Sequence, residues 1–212
     1  MTRIYRYILD TDGGMAPCID QGIVSLATCK PVVRRMAGKG DWVAGFMPGS
    51  DHRGELAWAG RVETILNHGE YYRRSAGMRS DAVYQYMADG NYEKQKVGYH
   101  CDPKQQHRDH ENSVLLFDRE ASWYFGSTPV ALPDYLGHLS PAGQGYHVNF
   151  RRAGDLEQWE DWLWFTKPGI HGTPRNALVL CTGCRFCDDE QIDPPKCGKT
   201  QKGKRSQNKR RC

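Results

Sequence analysis

Two aspartates and a cysteine follow the first apolar segment of the chain and are candidates for chemistry on a nucleobase. Asp10, Asp12 and Cys18 lie in the glycine-containing stretch DTDGGMAPC. Carboxylates accept hydrogen bonds from the Watson–Crick edge of an extruded base, and a cysteine beside basic groups becomes a nucleophile when its pKa is lowered. The alternative is structural, because aspartates beside glycine commonly satisfy a turn and a lone cysteine is commonly a small buried apolar residue.

A short basic segment supplies a second group of candidates, which suit phosphate binding and base stacking. Lys30 and Arg34 are four residues apart and would share one helix face, and Arg35 follows directly. A guanidinium fork near the amides of a first helical turn is a good phosphate ligand. The motif GDW then brings Asp41 and Trp42, whose indole offers a plane on which a base can stack. The structural alternatives are a solvated helix face and a tryptophan of the core.

Four cysteines near the carboxyl end of the chain are candidates for a metal site. Three recur at every third residue and the fourth follows ten residues later, as Cys181, Cys184, Cys187 and Cys197. Thiolates at such spacing converge on one ion; tetrahedral zinc is the commonest occupant, and an iron–sulfur cluster is the alternative. The competing interpretation is a set of reduced thiols without metal. A histidine-containing segment, with His100, Cys101, His107 and His110, is by contrast predicted to be a solvated loop rather than a metal site.

Charge is distributed unevenly along the 212 residues. Eight of the 29 Lys and Arg residues lie in residues 194–212, which contain no acidic residue. The rest of the chain therefore has 21 basic and 25 acidic residues and is mildly acidic. A basic block without apolar residues is predicted to be disordered in isolation and to bind a polyanion, since neutralising phosphates releases counterions. The candidate phosphate contacts in this arm are Lys199, Lys202, Lys204 and Arg205. A solubilising tail with no specific partner is the alternative.

Short strands and helices must position these residues. Apolar alternation predicts strands over residues 3–9, 42–46 and 56–66. The basic segment predicts a helix that is capped by Thr28 and closed by Gly38. A further helix is predicted to begin at His68, and the apolar face of residues 155–165 predicts another. Two more strands and a short helix are predicted at residues 113–118, 122–132 and 133–139.

The polar span of residues 75–112 is low in aliphatic residues and is predicted to be a long loop or flap. The whole pattern predicts an α+β fold, a small strongly bent sheet or barrel with short helices at its ends. This domain would comprise residues 1–176, followed by a cysteine-rich basic arm over residues 177–212. The predicted base pocket of the domain comprises Asp10, Asp12, Cys18, Asp41 and Trp42.

Targeting and enzyme signatures are absent from the sequence. The first ten residues lack a continuous apolar core, and no run reaches the 18 apolar residues of a membrane span. We therefore expect a cytoplasmic protein without a membrane partner, whose cysteines are thiols or metal ligands rather than disulfides. The motifs of phosphate loops, dinucleotide binding, zinc deamination, methyl transfer and serine hydrolysis are also missing, which disfavours the best-known enzyme classes.

Four motifs resemble those of the second nucleotide-modification-associated domain family. They are DGGMAPC at residues 12–18, CKPVVRR at 29–35, GDWVAG at 40–45 and YFG at 124–126, and the similarity covers roughly residues 3–172. The order of elements also resembles the half-barrel of PUA-like domains, a group that includes the ASCH, EVE and YTH families. By this resemblance, a pocket should lie beside the first strand and the basic helix.

The resemblance implies a role in phage or bacterial DNA-modification systems. We accordingly expect a nucleic-acid-binding protein that recognises a modified or flipped base together with backbone phosphate, with DNA as the expected partner. The alternative in the same setting is an enzyme of base or nucleotide modification that uses Asp10, Asp12 or Cys18. The sequence leaves the choice between reader and enzyme open.

Overall fold

A seven-stranded sheet organises the chain, whose computed structural model describes residues 2–49, 51–96 and 98–176. In chain order the strands are β1 (Ile4–Ile8), β2 (Ser25–Leu26), β3 (Trp42–Phe46), β4 (Leu56–Leu66), β5 (Tyr84–Tyr86), β6 (Tyr92–Lys94), β7 (Val114–Tyr124), β8 (Tyr146–Val148) and β9 (Gly169–Ile170). The large sheet has the order β2-β7-β4-β3-β1-β8, with β9 beside β7, whereas β5 and β6 pair as a separate hairpin.

The helices are short and lie at the ends and faces of the sheet. They are α1 (Pro31–Met36), α2 (His68–Ser75), α3 (Pro103–His110) and α4 (Asp155–Trp164), with 3₁₀ helices at Asp20–Gly22 and Asp134–Leu139. None of these helices, within the described ranges, combines the length and apolar character needed to span a membrane.

The two longest strands, β4 and β7, bend the sheet. They pair antiparallel with shifts of register between Gly60 and Val62 and between Val62 and Thr64. Bulges of this kind increase the twist of a strand pair, and the sheet curls into a half-barrel. The predicted α+β class with a strongly bent sheet is therefore confirmed, while the finer PUA-like assignment stays a prediction.

Both faces of the central strands are covered. Alternate residues of β3 enter two separate apolar clusters, since Val43 packs with Tyr7 and Trp58 on one face, and Trp42 packs with Trp159 of α4 on the other. A strand buried on both faces leaves few side chains available to a ligand. Ligand contacts must therefore come from strand ends and connecting segments.

The span of residues 75–112 differs from its sequence prediction. It contains the β5–β6 hairpin and α3 rather than a long loop. The buried residue of α3 is Asp109, a carboxylate, so no apolar periodicity marks this helix in the sequence. The two strands predicted at residues 113–118 and 122–132 are likewise one long strand, β7, because its polar middle is a bulge rather than a turn.

Candidate functional site

A groove opens beside the carboxyl end of β1, where this strand, α1 and the segment before β8 meet. Its volume is about 370 Å³, within the range of about 300–1,000 Å³ typical of small-molecule sites. The lining residues that carry its chemistry are Tyr7, Asp10, Lys30, Gln144 and Tyr146. We call this opening the β1–α1 groove.

Three kinds of binding group meet in the β1–α1 groove. The Lys30 ammonium lies 4.5 Å from the centroid of the Tyr7 ring. Gln144 Nε2 donates a hydrogen bond of 3.0 Å to Asp10 Oδ2 at the surface. Tyr146 is 50% exposed and therefore offers an aromatic face to solvent. A cation, an amide–carboxylate pair and a stacking plane thus share one opening.

A buried polar cluster lies behind α1 and centres on the carboxylate of Asp109. Its members come from five separate segments, and we call it the Asp109 cluster. They are Cys29, Arg34, His68, Tyr84, His100 and Asp109. A buried carboxylate requires such a set of donors because desolvation otherwise disfavours its charged form.

Four donors reach the Asp109 carboxylate. His100 Nδ1 lies 2.6 Å and the Tyr84 hydroxyl 3.0 Å from Oδ2. Arg34 Nη1 lies 3.1 Å and the Cys29 backbone nitrogen 3.2 Å from Oδ1. Burial raises the pKa of Asp109, but the His100 hydrogen bond and the charges of His100 and Arg34 outweigh it and lower the pKa below its ordinary value. Asp109 is therefore an ionised carboxylate, and His100 Nδ1 donates to it.

Arg34 points into the protein rather than towards a ligand. It is 1% exposed, and its guanidinium also donates to the carbonyl oxygens of Ser113 at 2.8 Å and Asn112 at 2.9 Å. The helix begins after Lys30, whose φ of 41° is left-handed. Lys30 and Arg34 therefore do not share one helix face: Lys30 lines the groove, Arg34 joins the Asp109 cluster, and Arg35 is exposed.

Trp42 packs in the core, and Asp41 stabilises a turn by accepting backbone hydrogen bonds. The Trp42 ring is 0% exposed; it stacks on Trp123 with centroids 6.1 Å apart, and its Nε1 donates to Glu160 at 3.1 Å. Asp41 accepts hydrogen bonds from the backbone nitrogens of Arg3 and Gly38, both at 2.9 Å. In this conformation Trp42 presents no face to a base, and it does not line the groove that Lys30 lines.

Asp12 and Cys18 are also buried in the interior of the protein. The Tyr124 hydroxyl donates to Asp12 Oδ2 at 2.6 Å, and burial raises the pKa of Asp12 although this hydrogen bond opposes the rise. Cys18 is 0% exposed and pairs through its backbone with Ser25. Burial raises the pKa of the Cys18 thiol, which opposes thiolate formation. Of these candidate pocket residues, Asp10 is the one that reaches the groove.

The remaining predicted residues lie outside the described part of the chain. These are the metal ligands and arm contacts Cys181, Cys184, Cys187, Cys197, Lys199, Lys202, Lys204 and Arg205. Within residues 2–49, 51–96 and 98–176, no group of three or more His, Cys, Asp or Glu is arranged to hold a metal ion.

The chain matches the family model described as nucleotide modification associated domain 2 over residues 1–180. It belongs to this family. Membership indicates a role in a DNA-modification system. No curated protein and no solved structure matches the chain.

The match of this nucleotide-modification-associated domain includes both the β1–α1 groove and the Asp109 cluster. Sequence reasoning found Lys30 and Asp10 but missed Gln144, Tyr146 and the pairing of His100 with Asp109. Gln144 and Tyr146 lie in the glycine-containing stretch PAGQGY, and such connecting segments are common places for binding residues. That stretch is the signal from which they could have been found.

Proposed function

We propose that this domain binds nucleic acid at the β1–α1 groove, holding an unstacked or modified base there beside a backbone phosphate. The setting is a DNA-modification system in the cytoplasm of a bacterium or a phage-infected cell, and the expected partner is DNA. The observation that carries the proposal is the meeting of Lys30, the Asp10–Gln144 pair and Tyr146 at one opening.

Each group has a defined task in this proposal. The Lys30 ammonium neutralises a phosphate, with the exposed Arg35 of the same segment as a second cation. Tyr146 stacks on the base, the task that sequence reasoning gave to Trp42. Asp10 and Gln144 together supply acceptors and a donor for the polar edge of a base, as pockets for extruded bases require.

The Tyr146→Ala variant is expected to lose about 1–3 kcal/mol of binding free energy, or about 5- to 150-fold in affinity, because one base–aromatic stack is lost. Fluorescence anisotropy with labelled single-stranded and duplex DNA, with and without modified bases, measures this loss. Tyr135→Ala is the matched control, since Tyr135 is 49% exposed on the 3₁₀ helix Asp134–Leu139 and does not line the groove. Equal affinity of wild type and both variants for every oligonucleotide would contradict the proposal.

The enzymatic alternative based on Asp10, Asp12 or Cys18 finds less support. Asp12 and Cys18 are both buried and hydrogen-bonded within the fold. A reaction at these side chains would require the substrate to enter the core. We therefore favour binding at the groove.

A second proposal concerns the carboxy-terminal arm, in which Cys181, Cys184, Cys187 and Cys197 would hold one zinc ion and direct the basic residues at phosphates. Elemental analysis of protein purified without chelator should then give about one equivalent of metal, with zinc expected and iron as the alternative. A metal content near zero would remove this proposal.

Truncation after Asp193 tests the contribution of the arm to binding. With about six phosphate contacts, the affinity of the full chain should fall roughly a thousandfold between about 50 and 200 mM salt, and the truncated chain should show a smaller salt dependence. Unchanged affinity and salt dependence would leave the arm as a solubilising tail.

A further inference from the structure

A second depression adjoins the β1–α1 groove on the other side of the Asp10–Gln144 pair. Its volume is about 550 Å³, and it lies between the connection from β3 to β4 and the segment that precedes β8. Ile8, Asp10 and Gln144 line both openings. We call this second opening the Arg53 compartment, after its basic residue. The groove and the compartment are therefore neighbouring halves of one cleft, and the 3.0 Å hydrogen bond from Gln144 Nε2 to Asp10 Oδ2 lies between them.

Direct contacts join the two walls of the Arg53 compartment. Arg53 Nη2 donates to the Ala142 carbonyl oxygen at 3.3 Å, which ties the β3–β4 connection to the segment before β8. Gly54 has a φ of 82°, and a Cβ at this position would collide with Ser140 Oγ. Glycine therefore suits both the left-handed backbone and the close approach of the two segments. The compartment is thus formed before a ligand binds, as ligand pockets usually are.

Each half of the cleft has its own cation. Lys30 lines the groove, and Arg53 lines the compartment. Arg53 is exposed, and within the described ranges it forms no ion pair; the nearby Glu55 pairs with His52 at 2.8 Å. A guanidinium has five N–H donors, so Arg53 retains donors for a phosphate beside the one that it gives to a backbone carbonyl.

Apolar surface also lies on both sides of the Asp10–Gln144 pair. Pro31 and Val32 line the groove, whereas Pro48 lines the compartment. The pair itself is exposed and belongs to both halves, so a polar edge on either side can reach its amide and carboxylate. A cation and an apolar wall thus occur twice around one shared polar pair. Such a repeat suits a ligand that is itself a repeat of phosphate and base, as a nucleic-acid strand is.

We propose that the ligand of this cleft is a single-stranded segment of nucleic acid that places two consecutive nucleotides there, one on each side of the Asp10–Gln144 pair. Arg53 binds the phosphate of the nucleotide in the compartment, for which a guanidinium fork has the matching geometry. This inference rests on the proposed function and narrows its substrate class. A base that is flipped singly out of a duplex leaves its neighbour in the stack, and that neighbour does not enter the second half of the cleft.

The length of the bound segment tests the inference on the full chain. Competition anisotropy uses, as labelled probe, the single-stranded oligonucleotide that binds best among those tried for the groove. The competitors are 5′-phosphorylated fragments of that oligonucleotide with one, two or three nucleotides. We expect the second nucleotide to raise the affinity about 5- to 150-fold, the range that corresponds to one further stacked base, and the third to add less than the second.

Arg53→Met should remove most of the gain from the second nucleotide. It should also reduce the slope of log affinity against log salt by about 0.7, the value of one phosphate contact on a single strand. Arg119→Met is the matched control. Arg119 is likewise exposed and likewise donates to a backbone carbonyl oxygen, that of Gln21 at 3.4 Å, but it lines neither half of the cleft. This control should keep both the gain and the salt slope of the wild type.

The outcomes separate this inference from the proposed function. If Tyr146→Ala weakens binding of the single strand but fragments of one and two nucleotides compete equally, the proposed function stands and the two-nucleotide assignment is wrong. A gain that Arg53→Met retains in full would overturn the assignment as well. So would a duplex of the same sequence that competes as well as the single strand. If no oligonucleotide binds, the proposed function fails and this inference fails with it.

Discussion

Replacing Arg34 with methionine should lower the free energy of unfolding by about 3–5 kcal/mol, because it leaves a buried carboxylate without its cation. The side chains of Arg34 and Asp109 are 0% and 3% exposed, and the ion pair measures 3.1 Å. The substitution also removes the donor to the carbonyl oxygen of Ser113. Because methionine preserves the aliphatic volume, the loss measures the missing charge and hydrogen bonds rather than a cavity.

Arg35→Met is the control for this experiment. It makes the same change of charge on the next residue of α1, but Arg35 is exposed, and surface substitutions usually change stability by less than about 0.5 kcal/mol. Urea unfolding at pH 7 measures both variants, with the slope of the transition compared to verify that the unfolded state is unchanged. Similar small losses in the two variants would contradict the structural role of Arg34 and would restore it as a ligand contact.

The contribution of His68 to the free energy of unfolding should also fall by about 3 kcal/mol when the pH is lowered from about 6.5 to 4, because this histidine binds a proton in the unfolded chain but not in the folded one. His68 is 1% exposed, and burial, assisted by the charge of Arg34, lowers its pKa to about 3. A histidine in the unfolded chain titrates near about 6.5. The neutral His68 therefore contributes its full stabilisation above about pH 6.5. As the pH falls from there towards the folded pKa, this contribution to the free energy of unfolding decreases by about 1.4 kcal/mol per pH unit.

A comparison of His68→Gln with wild type isolates this effect. Glutamine carries both a donor and an acceptor for the two groups that lie 2.9 Å from His68 Nε2, the Asp109 carbonyl oxygen and Arg34 Nη2, but it does not titrate. The variant should lose the His68 share of the slope, while the similarly lowered pKa of His110 leaves a smaller residual dependence in both proteins. His107→Gln, at an exposed position of α3, should retain the wild-type slope. Parallel pH profiles for wild type and His68→Gln would show that His68 is not the group responsible.

The Asp109 cluster connects the two stability predictions. The His100 hydrogen bond and the charges of His100 and Arg34 lower the pKa of Asp109. Burial, followed by the charge of Arg34, lowers the pKa of His68.

The sequence by itself determined the elements that local apolar patterns specify. Strands β3 and β4 were predicted at the bounds that the structure gives them, and α4 was predicted within one residue. Period-2 and period-3.6 patterns are local properties and can be read without knowledge of distant partners. The α+β class and the family followed from these elements and from the motifs between them.

Tertiary structure alone decided which polar side chains face a ligand and which face the core. Arg34 and Arg35 are adjacent and chemically identical in sequence, yet one is buried because Asp109, 75 residues away, supplies its counter-charge. Cys29 and His100 are 71 residues apart, yet they are neighbours because both hydrogen-bond the Asp109 carboxylate. A buried charge is stable only where distant segments supply donors and acceptors, and no local pattern encodes that supply. The sequence therefore determined the elements that carry a local apolar pattern, and only the packing of the elements determined the site.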